Sequence, residues 1–188
     1  FLQFWDRFHQ VRTDGVSAGN SLHHRCSQGL DERRIDPPLS PGGLGRSPDA
    51  RHELLDQAML DHQFQASQAL QAETPDYEKA LQEVITALQY APGDLDMLTL
   101  KAVLEEKLGQ QDVVDESLQT AEAAAPSQEE YLLSLSSAYL QVYEFEKSKT
   151  YANQVIGLNA ESAEGYFYLA QAYYSNNEKV EAYQTYQK

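Results

Sequence analysis

Residues that build metal centres and disulfide frameworks are nearly absent from this chain. One cysteine, Cys26, occurs among 188 residues, so neither an internal disulfide nor a zinc site with several cysteine ligands can form. No apolar run approaches the roughly 20 residues that a membrane-spanning helix needs, and the N-terminus lacks the layout of a signal peptide. Because the chain begins at Phe1 and ends inside a helical pattern, we expect it to be a piece of a longer protein.

Positive charge is also scarce. Lysine and arginine number 14 against 29 carboxylates, which gives a formal net charge of −15. Phosphate backbones and anionic lipids attract clustered lysine and arginine, so we expect neither nucleic acid nor a membrane surface as a partner. Membrane association would require an anchor that precedes Phe1. A basic protein segment or a neutral peptide remains compatible with this charge.

Tyrosine and lysine are missing from the first 50 residues, which contain six of the ten glycines and four of the seven prolines. The stretch RIDPPLSPGGLGRSPDA, residues 34–50, cannot be helical because proline lacks an N–H donor and restricts the residue before it. Six arginines balance six carboxylates in this part, so the whole net charge belongs to residues 51–188. We predict an irregular N-terminal segment over 1–50 and a folded domain over 51–188.

Residues 75–188 repeat with a period of 34, a length typical of stacked structural repeats. The period is carried by four series of mostly small or apolar residues: Ala80, Val114, Ser148 and Ala182; Val84, Leu118, Ala152 and Tyr186; Ala87, Ala121 and Val155; Tyr90, Ala124 and Leu158. The series lie four, three and three residues apart, which is the spacing of one face of an α-helix. A helix that buries this face is therefore predicted in every period.

A second helix is predicted ahead of each of these. Leu132, Leu135, Ser136 and Tyr139 recur 34 residues later as Tyr166, Leu169, Ala170 and Tyr173. One period earlier the matching residues are Met97, Leu100, Lys101 and Leu104, at a spacing of 35. This spacing predicts one extra residue in the turn near KLGQQD, and it makes Lys101 a misfit in a position that is small elsewhere.

Signals for helix ends agree with the period. Thr74-Pro75 places a capping residue before a proline at the first helical position. Ser127 and Glu130 form a capping box. Gly109 and the Ser-Asn-Asn stretch at 175–177 mark turns between paired helices.

The succession of paired helices resembles the tetratricopeptide repeat family. The matching strings are YEKALQEVITALQYAP, YLLSLSSAYLQVYEFEKSKTYANQVIGLNA and YFYLAQAYYSNNEKVEAYQTYQK. The resemblance implies an all-α fold, a right-handed superhelical solenoid of antiparallel helix pairs, with an irregular N-terminal segment before it. The repeats would span 61–93, 94–128, 129–162 and 163–188, the last one truncated, and its apolar face would stay exposed unless more chain follows.

The resemblance also implies a function, since members of this family bind peptides or helices of partner proteins in a concave groove lined by first helices. The residues expected in that groove are Leu98, Ala102, Glu105, Leu133, Ser137, Leu140, Gln141, Phe167, Gln171 and Tyr174. None of them is the lysine, arginine or asparagine with which some family members clamp a C-terminal carboxylate, so an apolar or basic segment is the expected partner. We expect a non-catalytic scaffold or assembly factor with no cofactor and no small-molecule substrate.

Other functions remain as alternatives. The repeats could be the accessory domain of a larger enzyme or of a secretion or biogenesis protein, or could associate with other copies through the last repeat. The pentatricopeptide repeat has a similar length but reads RNA, which the net charge of −15 disfavours. A metal site at His23, His24 and Cys26 lacks a second cluster of ligands, and GVSAG lacks the strand and helix of a nucleophile elbow. The compartment stays open between cytoplasm and periplasm, with or without a membrane tether.

Overall fold

The computed structural model of this chain describes residues 48–188, with side chains described from Leu54 onward. Eight α-helices occur in this range: α1 Pro48–Leu70, α2 Tyr77–Tyr90, α3 Leu95–Lys107, α4 Gln111–Ala124, α5 Gln128–Gln141, α6 Phe145–Leu158, α7 Ala163–Ser175 and α8 Lys179–Tyr186. Residues 48–188 contain no β-strand, which confirms the all-α expectation for this part. The helix α1 begins at Pro48, so the predicted irregular segment is wrong over residues 48–50, where proline occupies the first helical position and needs no N–H donor. The rest of that segment and the histidine and cysteine cluster lie outside the described residues.

Each helix packs on the next one along the chain. Extensive contacts hold together the pairs α1–α2, α3–α4, α5–α6 and α7–α8. The helices α2–α3 and α6–α7 join one pair to the next, and α6 meets α7 as extensively as α3 meets α4. Contacts between α3 and α5, and between α5 and α7, add a second link between successive pairs. By contrast, α4 meets α5 only slightly. The result is a repeat-like succession of helix pairs.

The turns inside three of these pairs share one geometry. Three residues separate α3 from α4, α5 from α6 and α7 from α8, and the middle one has a positive φ: Gly109 at 74°, Tyr143 at 64° and Asn177 at 65°. Glycine and asparagine adopt this conformation readily, whereas a bulky residue does so at a cost. The Tyr143 hydroxyl donates to the carbonyl oxygen of Leu70 at 3.2 Å, which helps to hold that turn.

These turns correct the predicted register. Gly109, Tyr143 and Asn177 are each 34 residues apart, so the extra residue expected near KLGQQD does not exist. The small residues of the first helices are then Ala102, Ser136 and Ala170, all fully buried. Lys101 is consequently equivalent to Leu135 and Leu169, and it does not occupy the small position. The prediction was wrong because α3 has buried side chains on all its faces, so its apolar pattern fits more than one register.

The second helices bury the predicted face except at its edge. The series that begin at Ala80 and Ala87 are buried throughout, as expected. The series that begins at Tyr90 is exposed, and that part of the prediction was wrong. A residue ten positions after Ala80 lies about 80° around the helix from it, at the margin of the apolar face. Tyr186, expected in the core, is 52% exposed, because α8 packs mainly on α7.

Side-chain caps begin four of the helices. The Ser127 Oγ accepts a hydrogen bond from the Glu130 backbone N–H at 3.1 Å, which confirms the predicted cap at α5. The helix α2 begins two residues later than predicted, because Asp76 rather than Thr74 is its N-cap and accepts from the Lys79 N–H at 2.9 Å. The Asp76 N–H is bonded to the Ala69 carbonyl at 3.0 Å, which ties the preceding loop to α1 and delays the helix.

Small polar residues let α5 and α6 approach closely. The Ser136 Oγ donates to the Ser148 carbonyl at 3.0 Å, and the Ser148 Oγ donates to the Ser136 carbonyl at 2.9 Å. Both serines are fully buried, and the reciprocal bonds satisfy their hydroxyl groups without water. The equivalent positions one period before and after are also small or β-branched and buried, at Ala102 with Val114 and at Ala170 with Ala182.

Candidate functional site

The expected groove residues divide into three groups along the chain. On α3, Leu98, Ala102 and Glu105 are buried, and in the corrected register they are equivalent to Leu132, Ser136 and Tyr139. They therefore offer little surface to a partner as they stand. The α5 residues come next: Leu133 is buried, while Ser137, Leu140 and Gln141 are partly exposed.

The third group lies on α7 and forms a surface with α8. Tyr174 is 56% exposed, and Phe167 and Gln171 are partly exposed. The Phe167 ring meets the Tyr186 ring edge to face, with centroids 6.4 Å apart. We call Phe167, Gln171, Tyr174 and Tyr186 the C-terminal aromatic cluster. The structure thus brings the three predicted α7 residues together and adds Tyr186, which the sequence pattern had assigned to the core.

The ionisation of Tyr186 reflects this position at the edge of the fold. Partial burial raises the pKa of the Tyr186 hydroxyl above its ordinary value, although a hydrogen bond with the Gln171 side chain acts in the opposite direction. An electrostatic interaction with the neighbouring Tyr174 also raises this pKa. The hydroxyl therefore stays protonated at neutral pH and can donate a hydrogen bond to a ligand.

Tyr168 separates the aromatic cluster from α5. Its ring packs with Leu132, Leu133 and Val155 in a small apolar cluster of their own, and it meets the Phe167 ring at 5.5 Å. Leu133 is therefore covered by α7. This neighbour explains why a residue expected to face an open groove is buried.

A second surface with unusual chemistry lies between α3 and α4. The Lys101 Nζ donates to the Ser117 Oγ at 2.6 Å and pairs with the Glu105 Oε1 at 2.7 Å. Glu105 is only 4% exposed, and its Oε2 is buried with no hydrogen-bond partner among the described residues. We call Lys101, Glu105 and Ser117 the α3–α4 polar cluster.

The α3–α4 polar cluster borders a cleft of about 320 Å³. Its lining residues are Leu88, Leu98, Lys101, Glu105, Val113, Glu116, Ser117 and Thr120, from α2, α3 and α4. In the next helix pair, the positions of Glu105 and Ser117 are taken by Tyr139 and Tyr151, whose rings stack at 5.3 Å with 5° between their planes. A carboxylate and a hydroxyl fill less space than two phenol rings, which accounts for a cleft at this point.

The sequence marked Lys101 as a misfit, but for the wrong position, because it replaces a leucine of the other repeats and not a small residue. Ser117 carried no signal of its own. Serine is common on exposed helix faces, and only the packing of α4 on α3 shows that its hydroxyl accepts from a lysine. Glu105 was assigned to an open groove because its register was taken one residue off. The cluster therefore depends on tertiary contacts that no spacing along the chain reveals.

Ion pairs tie the helix pairs together near these surfaces. Glu106 accepts from the Tyr139 hydroxyl at 2.7 Å and from the Lys147 Nζ at 2.8 Å, so it joins α3 to α5 and α6. Burial acts to raise the pKa of Glu106, but these two hydrogen bonds outweigh it and hold the pKa below its ordinary value. Burial and the bond to Glu106 raise the pKa of Tyr139.

Lys149 forms the corresponding joint between α6 and the α7–α8 turn. Its Nζ lies 2.7 Å from a Glu146 carboxylate oxygen, 2.8 Å from one of Glu178, and 5.0 Å from the centre of the Tyr173 ring. Burial acts to lower the pKa of Lys149, and its two carboxylate partners reverse that effect and raise it. This cation therefore stays charged at neutral pH.

A scan against protein-family models finds no family that matches the chain, and a search of curated proteins finds no significant match.

Within residues 48–188, no helix is long and apolar enough to span a membrane. The same range contains no group of three or more histidine, cysteine, aspartate or glutamate residues placed to hold a metal ion.

Proposed function

We propose that this chain is a non-catalytic, tetratricopeptide-like repeat protein that binds an apolar or basic segment of a partner protein. The observation that carries the proposal is the C-terminal aromatic cluster, in which predicted groove residues of α7 meet on a partly exposed surface. Aromatic side chains supply a large contact area and a hydroxyl at its edge, and for this reason they are enriched among the residues that dominate binding energy.

The periodicity of the fold supports the repeat interpretation. Turns of one geometry recur every 34 residues, and buried small residues recur with them. Each pair leaves an apolar face that the next pair covers, as repeat proteins require. On α8 the side chains of Val180, Tyr183 and Tyr186 are exposed, so the last pair offers apolar surface beside the aromatic cluster.

The charge of the domain selects the partner's chemistry. Residues 51–188 carry the whole formal charge of −15, which attracts basic segments and repels acidic ones over about a Debye length, roughly 8 Å at physiological salt. An apolar segment with flanking lysine or arginine can pack on the aromatic surface and is attracted by the negative charge of the domain.

A selection from random peptides tests the proposal. The full chain is used to enrich peptides from a displayed library, and the dissociation constants of the enriched sequences are measured by fluorescence anisotropy. We expect enrichment of apolar and basic residues, and we expect Tyr174→Ala to weaken binding by about tenfold, which corresponds to about 1.4 kcal/mol.

The matched control is Leu158→Ala, which removes an equally exposed apolar side chain at 55% exposure from α6. It is expected to leave the dissociation constant unchanged. Equal affinities for wild type and Tyr174→Ala, or enrichment of acidic peptides, would overturn the proposal.

A further inference from the structure

The α3–α4 polar cluster is difficult to explain by stability. Taking a carboxylate out of water is costly unless its oxygens are paired, and a buried oxygen without a donor carries that cost in full. Glu105 is nearly fully buried and one of its oxygens has no donor among the described residues. The next helix pair fills the same place with stacked tyrosines, and apolar substitutes for buried ion pairs are often at least as stable.

The cleft beside the cluster has a definite chemistry. Leu88, Leu98 and Val113 give it an apolar wall. The lining contains two carboxylates, Glu105 and Glu116, and one cation, Lys101, so it has an excess of negative charge. A side chain with an aliphatic stem and a cationic head matches both features, since such side chains place their stems along apolar surface.

We propose that this cleft receives a lysine or arginine side chain of a bound protein segment, with its stem against the apolar wall and its head at Glu105. A guanidinium has five donors in a planar fork and can serve both oxygens of a carboxylate. Lys101 has a side chain 27% exposed, and its rotation toward solvent uncovers Glu105 for the incoming cation. Changes of rotamer of this kind are common at interfaces.

This inference rests on the proposed function only in that the cation belongs to a partner protein. The pocket itself is tested without any peptide. The probe is n-butylguanidinium, and n-butanol serves as its neutral counterpart of similar length. Amide resonances of the isotopically labelled full chain are followed by NMR while each compound is added.

We expect saturable shifts confined to amides of α2, α3 and α4, with a dissociation constant in the range of about 1–10 mM for so small a ligand. Butanol is expected to give no saturable shift, because it carries no charge and cannot form an ion pair with the Glu105 carboxylate. The absence of saturation with butylguanidinium, as a cleft that holds only water would give, would overturn the proposal.

Two variants connect the shifts to the cleft. Glu105→Gln keeps the shape but removes the charge, and it is expected to weaken probe binding at least tenfold. The triple variant Lys101→Leu, Glu105→Tyr, Ser117→Tyr introduces the residues of the next helix pair, fills the cleft and should abolish binding in a folded protein. Retention of probe binding by the triple variant would contradict the proposal.

The control Glu181→Gln removes an exposed carboxylate of α8 and is expected to leave probe binding unchanged. The outcomes also separate this inference from the proposed function. Loss of peptide selection with intact probe binding rejects the peptide-binding role alone. Intact peptide binding without probe binding rejects the cationic pocket alone.

Discussion

Gly165 has no room for a side chain. It lies in the first turn of α7, and an added Cβ would come within 2.9 Å of Val155 Cγ1 and 3.1 Å of Ile156 Cγ1. Val155 is fully buried in α6, so it cannot move aside without disturbing its own packing. A residue that usually weakens a helix is therefore required where α6 and α7 meet.

We expect Gly165→Ala to destabilise the protein by about 1–3 kcal/mol through overpacking, against the usual gain of up to about 1 kcal/mol from replacing a helical glycine. The free energy of unfolding is measured by urea denaturation. Gly157→Ala, in the last turn of α6 with nothing within 4 Å of the added Cβ, is the control and should be neutral or slightly stabilising. A stabilised Gly165→Ala variant would show that the contact is not restrictive.

Helices differ in how much of their packing a sequence can reveal. The second helices bury one face, and residues such as Ala80, Val114 and Ser148 marked that face correctly because small residues recur there. The helix α3 is surrounded by neighbours, so apolar residues stand on all its sides and cannot fix a register. The contribution of Tyr186 to the surface was missed for another reason, since a repeat pattern assigns a core position without stating whether a neighbour covers it.

The hydrogen bonds of Glu106 should make the free energy of unfolding of the helix array depend on pH. The pKa of Glu106 is held below its ordinary value in the folded chain, so the unfolded state binds more protons at acidic pH. The stabilisation is then fully present above the pKa that Glu106 has in the unfolded chain. It is lost as the pH falls through the pKa that Glu106 has in the folded chain.

We expect Glu106→Gln to lower the free energy of unfolding by roughly 1 kcal/mol at pH 7, a modest value because the carboxylate is partly exposed. The difference from wild type should shrink as the pH falls below about 4.5. Denaturation series between neutral and acidic pH measure both quantities. Glu161→Gln, at an exposed carboxylate between α6 and α7, should show no such trend, and a constant difference for Glu106→Gln would contradict the assignment.

Among the helices of residues 48–188, those in the middle have more neighbours than the last one. The helix α3 packs against α2, α4 and α5, whereas α8 packs mainly on α7. In an array where each unit contacts only its neighbours, stability is a sum of local terms, and a terminal element can open without the rest.

Native-state hydrogen exchange should therefore show a gradient. We expect the amides of α3 to exchange most slowly and those of α8 to exchange fastest, with α5 and α6 close to α3. Mass spectrometry of peptides from each helix measures this order under conditions that favour the native state. Equal protection of α8 and α3 would mean that the chain opens as one cooperative unit.

The α3–α4 polar cluster also restricts how this protein could change over generations. Replacing Lys101 alone by leucine leaves the Glu105 carboxylate buried without a cation, and replacing Glu105 alone leaves the lysine without its charge partner. A single step at Lys101 or at Glu105 toward the residues of the next helix pair therefore passes through a less stable intermediate. Lys101 and Glu105 are thus expected to be inherited or lost together, as one unit of variation.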